Sequence, residues 1–370
     1  MKRSIIYVLL LLSLSGCWDE QLLKDVALIY VQAFDLDPES DKIDMTIAIV
    51  SGTSNEKIPT TTSIISAEGL SSRDARTELD TKLGSEIYAS KNQVTLFSKK
   101  LAEQDIYSVI DGNFRSPLSA LTARLAVVDG EAQPALHVQT ENKPLISDYI
   151  RDLLISAEDI GVIPTASMQN TLAILYDDGQ DIVLPIIKVL DKNKGVELTG
   201  TALFSDRKMS GELNTDETNL LLILAGSHKG EHRMTRQVHS NDKIKTYNYI
   251  TIDVEQMKRN LQVQKNSMGD FEVNIDLVLK VDANEYPADH LYKTDVVKKL
   301  NTTLSNQLTK EANEILNKLK EANCDYLSIG RRIQAFHPKD WKSMNWKDTY
   351  PTIEMNANVT VEIVYHGIIN

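Results

Sequence analysis

The chain has 370 residues, 42% of them hydrophobic, with 40 Lys and Arg against 52 Asp and Glu and a formal net charge of −12 at pH 7. That length supplies core for two or three domains, and that acidity argues against a nucleic-acid binder and against adhesion to anionic lipid through a basic patch. Only Cys17 and Cys324 are present, so no disulfide framework is available.

The first element is an export signal. Lys2 and Arg3 give a positive start, Ile5 to Leu12 form an unbroken apolar or aromatic run, and Leu14-Ser15-Gly16 places small residues before Cys17. That order is the signal-peptide pattern, and the run is well short of the roughly 20 residues that a spanning helix needs. Residues 1–16 are therefore expected to be removed. Leu-Ser-Gly-Cys resembles the bacterial lipobox, in which the cysteine thiol receives a diacylglyceryl group and the new amino terminus is acylated. Cys17 is accordingly the expected lipidation site. Two or more chains anchor firmly at about 0.8 kcal/mol per buried methylene, where one chain binds marginally. Loss of Lys2 and Arg3 leaves 38 basic against 52 acidic residues, about −14. Cys324, left without a partner, reads as a small buried or half-buried residue.

Beyond the anchor, apolar runs at Val26 to Phe34 and Ile43 to Val50 flank Asp35-Leu36-Asp37-Pro38 and predict a hairpin. Ser51 to Ser63 is polar, without periodicity. Arg73 to Leu83 reads as a helix capped by Ser71 or Ser72, Asn92 to Phe97 as a strand, Leu101 to Ile110 as a helix closed by Asp111-Gly112-Asn113, and Thr122 to Val128 as a strand. Ser147 begins a helix whose Tyr149, Ile150, Leu153 and Leu154 share one face. Pro164 and Pro185 bracket a further helix, Thr165 to Tyr176, and the charged stretch Asp191 to Gly195 looks like a boundary.

Val196 to Phe204 and Met209 to Leu213 are strand-like about a turn at 206–208, and a helix runs from Asp216 to Gly226. Ser227 to Lys245 is polar. Phe271 to Val281 and Ile353 to Tyr365 alternate strictly and predict half-buried strands. Between them, from Asp289 to about Ala322, apolar residues recur every three or four positions, a helix of roughly 45 to 50 Å. One long helix across antiparallel strands predicts an α+β sandwich. The fold class expected is multi-domain α+β with mixed or antiparallel sheets packed with helices, divided as 17–195, 196–265 and 266–370.

Catalytic patterns are weak. His228-Lys229-Gly230-Glu231-His232 fits the H-x-x-E-H spacing of inverted zinc peptidases, which requires both histidines one turn apart on a helix. Gly230 inside the motif, Gly226 before it and polar flanks favour a solvated loop. Ser54-Asn55-Glu56-Lys57 matches Ser-x-x-Lys without its partner motifs. No phosphate loop, dinucleotide fingerprint or nucleophile elbow is present. The expectation is a non-enzyme with no cofactor and no metal.

Separated blocks resemble the Ger(x)C family, the C-subunit lipoproteins of spore germinant receptors. They are Gly16-Cys17-Trp18-Asp19, the strand and turn from Leu28 to Asp37, Asp181 to Pro185, Leu198 to Phe204 with Lys208 to Leu213 and Glu217, Asp325 to Gly330, Pro338 to Trp341, Trp346, Tyr350-Pro351, and the last strand to Gly367. The resemblance covers nearly the whole chain and carries one functional position, the lipidated Cys17. It implies a lipoprotein on the outer face of the spore inner membrane, assembled with membrane A and B subunits to trigger germination when a nutrient appears. A lipoprotein solute-binding component of a transport system is the alternative, and it predicts two similar α/β lobes.

Overall fold

The computed structural model describes residues 26–37, 39–51, 61–139, 145–191, 194–227, 229–240 and 242–365. Cys17, the Ser54 to Lys57 stretch and His228 lie outside them.

The first sheet opens as a meander of β1 (Val26–Leu36), β2 (Ile43–Ser51) and β3 (Thr61–Gly69). The predicted hairpin is there, and the unperiodic polar segment gives way to its third strand. Helix α1 (Ser72–Leu83) follows, its Ser71 side chain accepting the Asp74 N–H and Gly84 closing it at φ 64°. Then come β4 (Glu86–Tyr88), β5 (Val94–Ser98), α2 (Lys99–Gln104), α3 (Tyr107–Arg115), β6 (Arg124–Val128), α4 (Gln133–Leu136), α5 (Ile146–Asp159), α6 (Met168–Leu175), β7 (Val183–Val189), β8 (Val196–Ser205) and β9 (Lys208–Asn214). Strand order is β3-β2-β1-β5-β6-β7-β8-β9, with β4 beside the start of β1. The pairs β1/β5, β5/β6 and β6/β7 are parallel and the remaining neighbours on this path antiparallel.

Both faces of this sheet are covered. Leu79, Leu101, Ile110 and Leu172 from α1, α2, α3 and α6 bury against one face; Leu136, Ile150 and Leu154 from α4 and α5 bury against the other. The single helix expected over 101–110 is two helices. Asp105 turns extended at φ −172° and its carboxylate accepts the Tyr107 N–H, starting α3. Asp111 is inside α3, bonded to Arg115 and to the Tyr107 hydroxyl, and so does not end a helix. Position 195 lies in the hairpin between paired strands β7 and β8, so the sheet runs through the boundary expected there.

The second unit begins with α7 (Thr215–Ala225), whose capping box joins Asn214 and Glu217. Its sheet orders β10 (Met234–Gln237), β11 (Tyr249–Lys265), β12 (Phe271–Glu285) and β13 (Glu354–Tyr365). Between β12 and β13 lie α8 (Thr294–Glu321), α9 (Ile329–Phe336), α10 (Pro338–Ser343) and α11 (Trp346–Thr349). Val273, Ile275, Leu277 and Leu279 of β12 and Val359 and Val361 of β13 bury against Leu300, Leu304, Leu308, Ile315 and Leu316 of α8. Helix α8 starts later than its periodicity suggests because Asp289 and His290 hold left-handed backbone at φ 57° and 66°. Strand β11 has buried side chains only at Ile250, Ile252 and Leu261, which is why no alternation announced it.

The pair β12/β13 is parallel, a correction to the antiparallel arrangement expected, and α8 is its crossover. The helix also closes the sheet edge. The N–H groups of Ala357, Val359, Val361 and Ile363 donate to the side chains of Asn313, Thr309, Ser305 and Asn301 at 2.9–3.0 Å. Four helical residues rise about 6.0 Å and two strand residues about 6.6 Å, so the two repeats stay in step over this length. An edge that would otherwise present free donors is thereby satisfied.

Candidate functional site

Titratable groups gather where the two sheets meet. After α8, Asp325 is fully buried; its two carboxylate oxygens accept the Ile329 and Gly330 N–H groups at 2.8 and 2.7 Å, capping α9. The Asp325 N–H donates to Asp181 Oδ2 at 2.9 Å and the Asp181 N–H donates to the Asp325 carbonyl at 3.1 Å, a reciprocal clasp between the units. Asp181 Oδ1 accepts the Asp206 N–H at 2.7 Å and lies 3.4 Å from Lys347 Nζ. Burial outweighs the hydrogen bonds on Asp325 and pushes its carboxyl up to about 7.

Cys324 is fully buried beside it, its Sγ 3.8 Å from the Ile182 carbonyl, and burial pushes the thiol well up. A thiol so held is a packing group, since the thiolate is the reactive form. The Tyr350 hydroxyl donates to the Cys324 carbonyl at 2.8 Å. Above the clasp a cleft of about 340 Å³ is lined by Asp177, Gln180, Asp181, Trp341, Trp346 and Lys347, with no His, Ser or Cys among the described residues. Perturbed carboxyls in a cleft can mark an active site. Here the inner ones are spent on backbone donors, so the arrangement fastens the units together.

His232 is the described histidine of the H-x-x-E-H spacing. It sits at φ 44° in a loop, with Nδ1 2.8 Å from Asn219 Oδ1 and Nε2 3.2 Å from the Ser227 carbonyl. Gly230, at φ 106°, packs so closely on Gly161 that a Cβ would stand 2.4 Å from its Cα. Glu231 faces solvent with its carboxylate 3.6 Å from Arg233. The helix that a zinc pair needs is absent over 229–232, and among the described residues no group of three or more His, Cys, Asp or Glu is placed to hold a metal ion.

A second cavity, about 660 Å³, lies beyond the carboxyl ends of β1, β5 and β6, lined by Asp35, Asp44, Glu68, Lys99, Asp129 and Glu131 among others. Asp35 accepts the Ala132 and Gln133 N–H groups at 2.6 and 2.9 Å. Burial raises both Asp35 and Asp44, and the charge of Asp35 adds to the shift on Asp44. Lys99 answers Glu212 at 3.0 Å and Asp129 at 3.7 Å. Among the described residues no imidazole or thiol faces this space. Sequence reasoning missed it because Asp35 reads as turn punctuation, and only the parallel pairing brings 35, 99 and 129 together. Among the described residues no helix is long and apolar enough to cross a membrane.

Residues 19–189 match the family model for the spore germination protein N-terminal domain, and residues 199–367 that for the spore germination B3/GerAC-like C-terminal domain. The chain is 24% identical to spore germination protein GerQC of Bacillus cereus over 100% of its own length and 99% of that protein's. It is 22% identical to spore germination protein KC of Bacillus subtilis (strain 168), covering 95% and 91% of the two chains. The crystal structure of the GerBC protein superposes with a TM-score of 0.58 at 16% identity, over 93% of this chain and 99% of that one, a likeness of fold.

Proposed function

We propose that this chain, which belongs to the Ger(x)C family of spore germination proteins, is the lipid-anchored, non-enzymatic C subunit of a nutrient germinant receptor. In this reading it works with membrane A and B subunits on the outer face of the spore inner membrane to trigger germination. The observation that carries the reading is the match of both family models, in order, over 19–189 and 199–367, beginning two residues after the lipobox cysteine. The site geometry agrees with it, since the buried carboxylates at the junction are committed to structural hydrogen bonds.

Acylation of Cys17 would supply the membrane link. Val26, where β1 begins, lies nine positions after Cys17, and those nine steps fully extended span about 30 Å. The start of the first sheet would then stand within that distance of the bilayer surface.

The test compares the native chain with Cys17→Ala in membranes from spores. The native chain should incorporate labelled palmitate, leave the membrane only with detergent, and bring down two polytopic proteins; the variant should be released by washing. A native chain washed off without detergent removes the anchor from the reading. One that recovers neither partner removes the receptor.

A further inference from the structure

Arg259, in β11, lies against the carboxyl end of α7. A Cβ on Gly226, the φ 79° cap of that helix, would stand 3.1 Å from Arg259 Cδ, so glycine there leaves a berth for the side chain. The Nε and Nη2 atoms are sealed from solvent and have no hydrogen-bond partner among the described residues. Burial and the nearby charge of Arg332 push the Arg259 guanidinium down to about 10.

Both groups line an open pocket of about 490 Å³ between the end of α7, β11 and α9. Arg331 also borders it but is engaged with Asp177 at 3.1 Å and Gln180 at 3.2 Å. Although acidic residues outnumber basic ones by 52 to 40 in the chain, no Asp or Glu among the described residues lines the pocket. A half-buried guanidinium without its counter-charge is costly. The carboxyl end of α7 offsets part of that cost yet supplies no acceptor to the two sealed N–H groups.

We propose that this pocket is a binding site for a small oxyanion, a carboxylate or a phosphate, gripped by Arg259 and Arg332. The guanidinium fork presents paired donors at the spacing of two oxygens on one carbon or phosphorus, which is the bidentate match that arginine makes best. Because Nε and Nη2 of Arg259 are sealed from solvent, the guanidinium turns out toward the pocket to meet the anion, about a stem that packs on Gly226.

The full chain in nonionic detergent is melted with sodium phosphate or sodium acetate replacing sodium chloride at constant ionic strength. At least one oxyanion should raise the melting temperature saturably, as a ligand of the folded state does. Arg259→Met and Arg332→Gln should each abolish the rise, while Lys310→Gln, on an exposed stretch of α8, keeps it. In chloride alone Arg259→Met should melt no lower than the native chain, since an unpaired buried charge has been removed. The proposal is overturned if neither anion raises the native melting temperature above chloride, or if either arginine variant that folds keeps the full rise.

Discussion

Asp325 shows how one side chain can tie stability to pH. Its carboxyl, pushed up to about 7 in the fold, returns to about 3.9 in an unfolded chain. Between those values the folded state binds more protons than the unfolded one, so stability from this group is complete below about pH 4 and is lost as pH rises through about 7. Of the groups facing it, Asp181 opposes its ionisation, burial holds Cys324 and Tyr350 neutral, and Lys347 reaches Asp181 rather than Asp325. Asp325→Asn imitates the protonated acid. In urea unfolding at about pH 5 and about pH 8, the native chain should lose roughly 2–3 kcal/mol more than the variant over that interval. Equal losses would place the titration of Asp325 outside this window. No sequence signal announced this group, because a carboxylate in Cys-Asp-Tyr-Leu reads equally well as a solvated turn.

Helix α8 carries two stripes, of which one was legible. Leu300, Leu304, Leu308, Ile315 and Leu316 recur at helical spacing and marked both the helix and its buried face. Asn301, Ser305, Thr309 and Asn313 recur every four residues beside them, and polar residues flanking an apolar face normally meet water. Their partners are backbone donors of β13, 44 to 62 residues further on, and the parallel register that aligns them cannot be read from either segment alone. Asn313 makes the fullest contact, since its Nδ2 also donates to the Ala357 carbonyl at 2.8 Å. Asn313→Ala leaves that residue's N–H and C=O without their partners and should cost about 1–3 kcal/mol in chemical denaturation. Lys310→Ala, with its side chain 80% exposed, should stay within about 0.5 kcal/mol. A similar small effect from both would show that the edge ladder contributes nothing to stability.

Across the whole molecule, the two sheets share material rather than merely touching. Val183, Leu203 and Leu213 of the first sheet belong to the same buried cluster as α7, α8 and the second sheet. The elements were largely legible from their periods, but their docking was not, because it rests on contacts such as Asp181 to Asp325, 144 residues apart. It also rests on two glycines that short-range reasoning passes over. A Cβ on Gly179 would stand 2.6 Å from the Arg331 backbone nitrogen, and one on Gly330 would stand 2.8 Å from both Gly179 Cα and the Trp346 ring. Neither glycine needs left-handed backbone, since neither has positive φ, so close approach alone demands them. Gly179→Ala and Gly330→Ala should therefore each cost about 1–3 kcal/mol by forcing the units apart. Because both variants displace the same pair of backbones, the second methyl meets a gap the first has opened, and the double variant should lose less than the sum of the singles. Additive losses would mean that the glycines act separately, with no single glycine contact holding the two sheets in register.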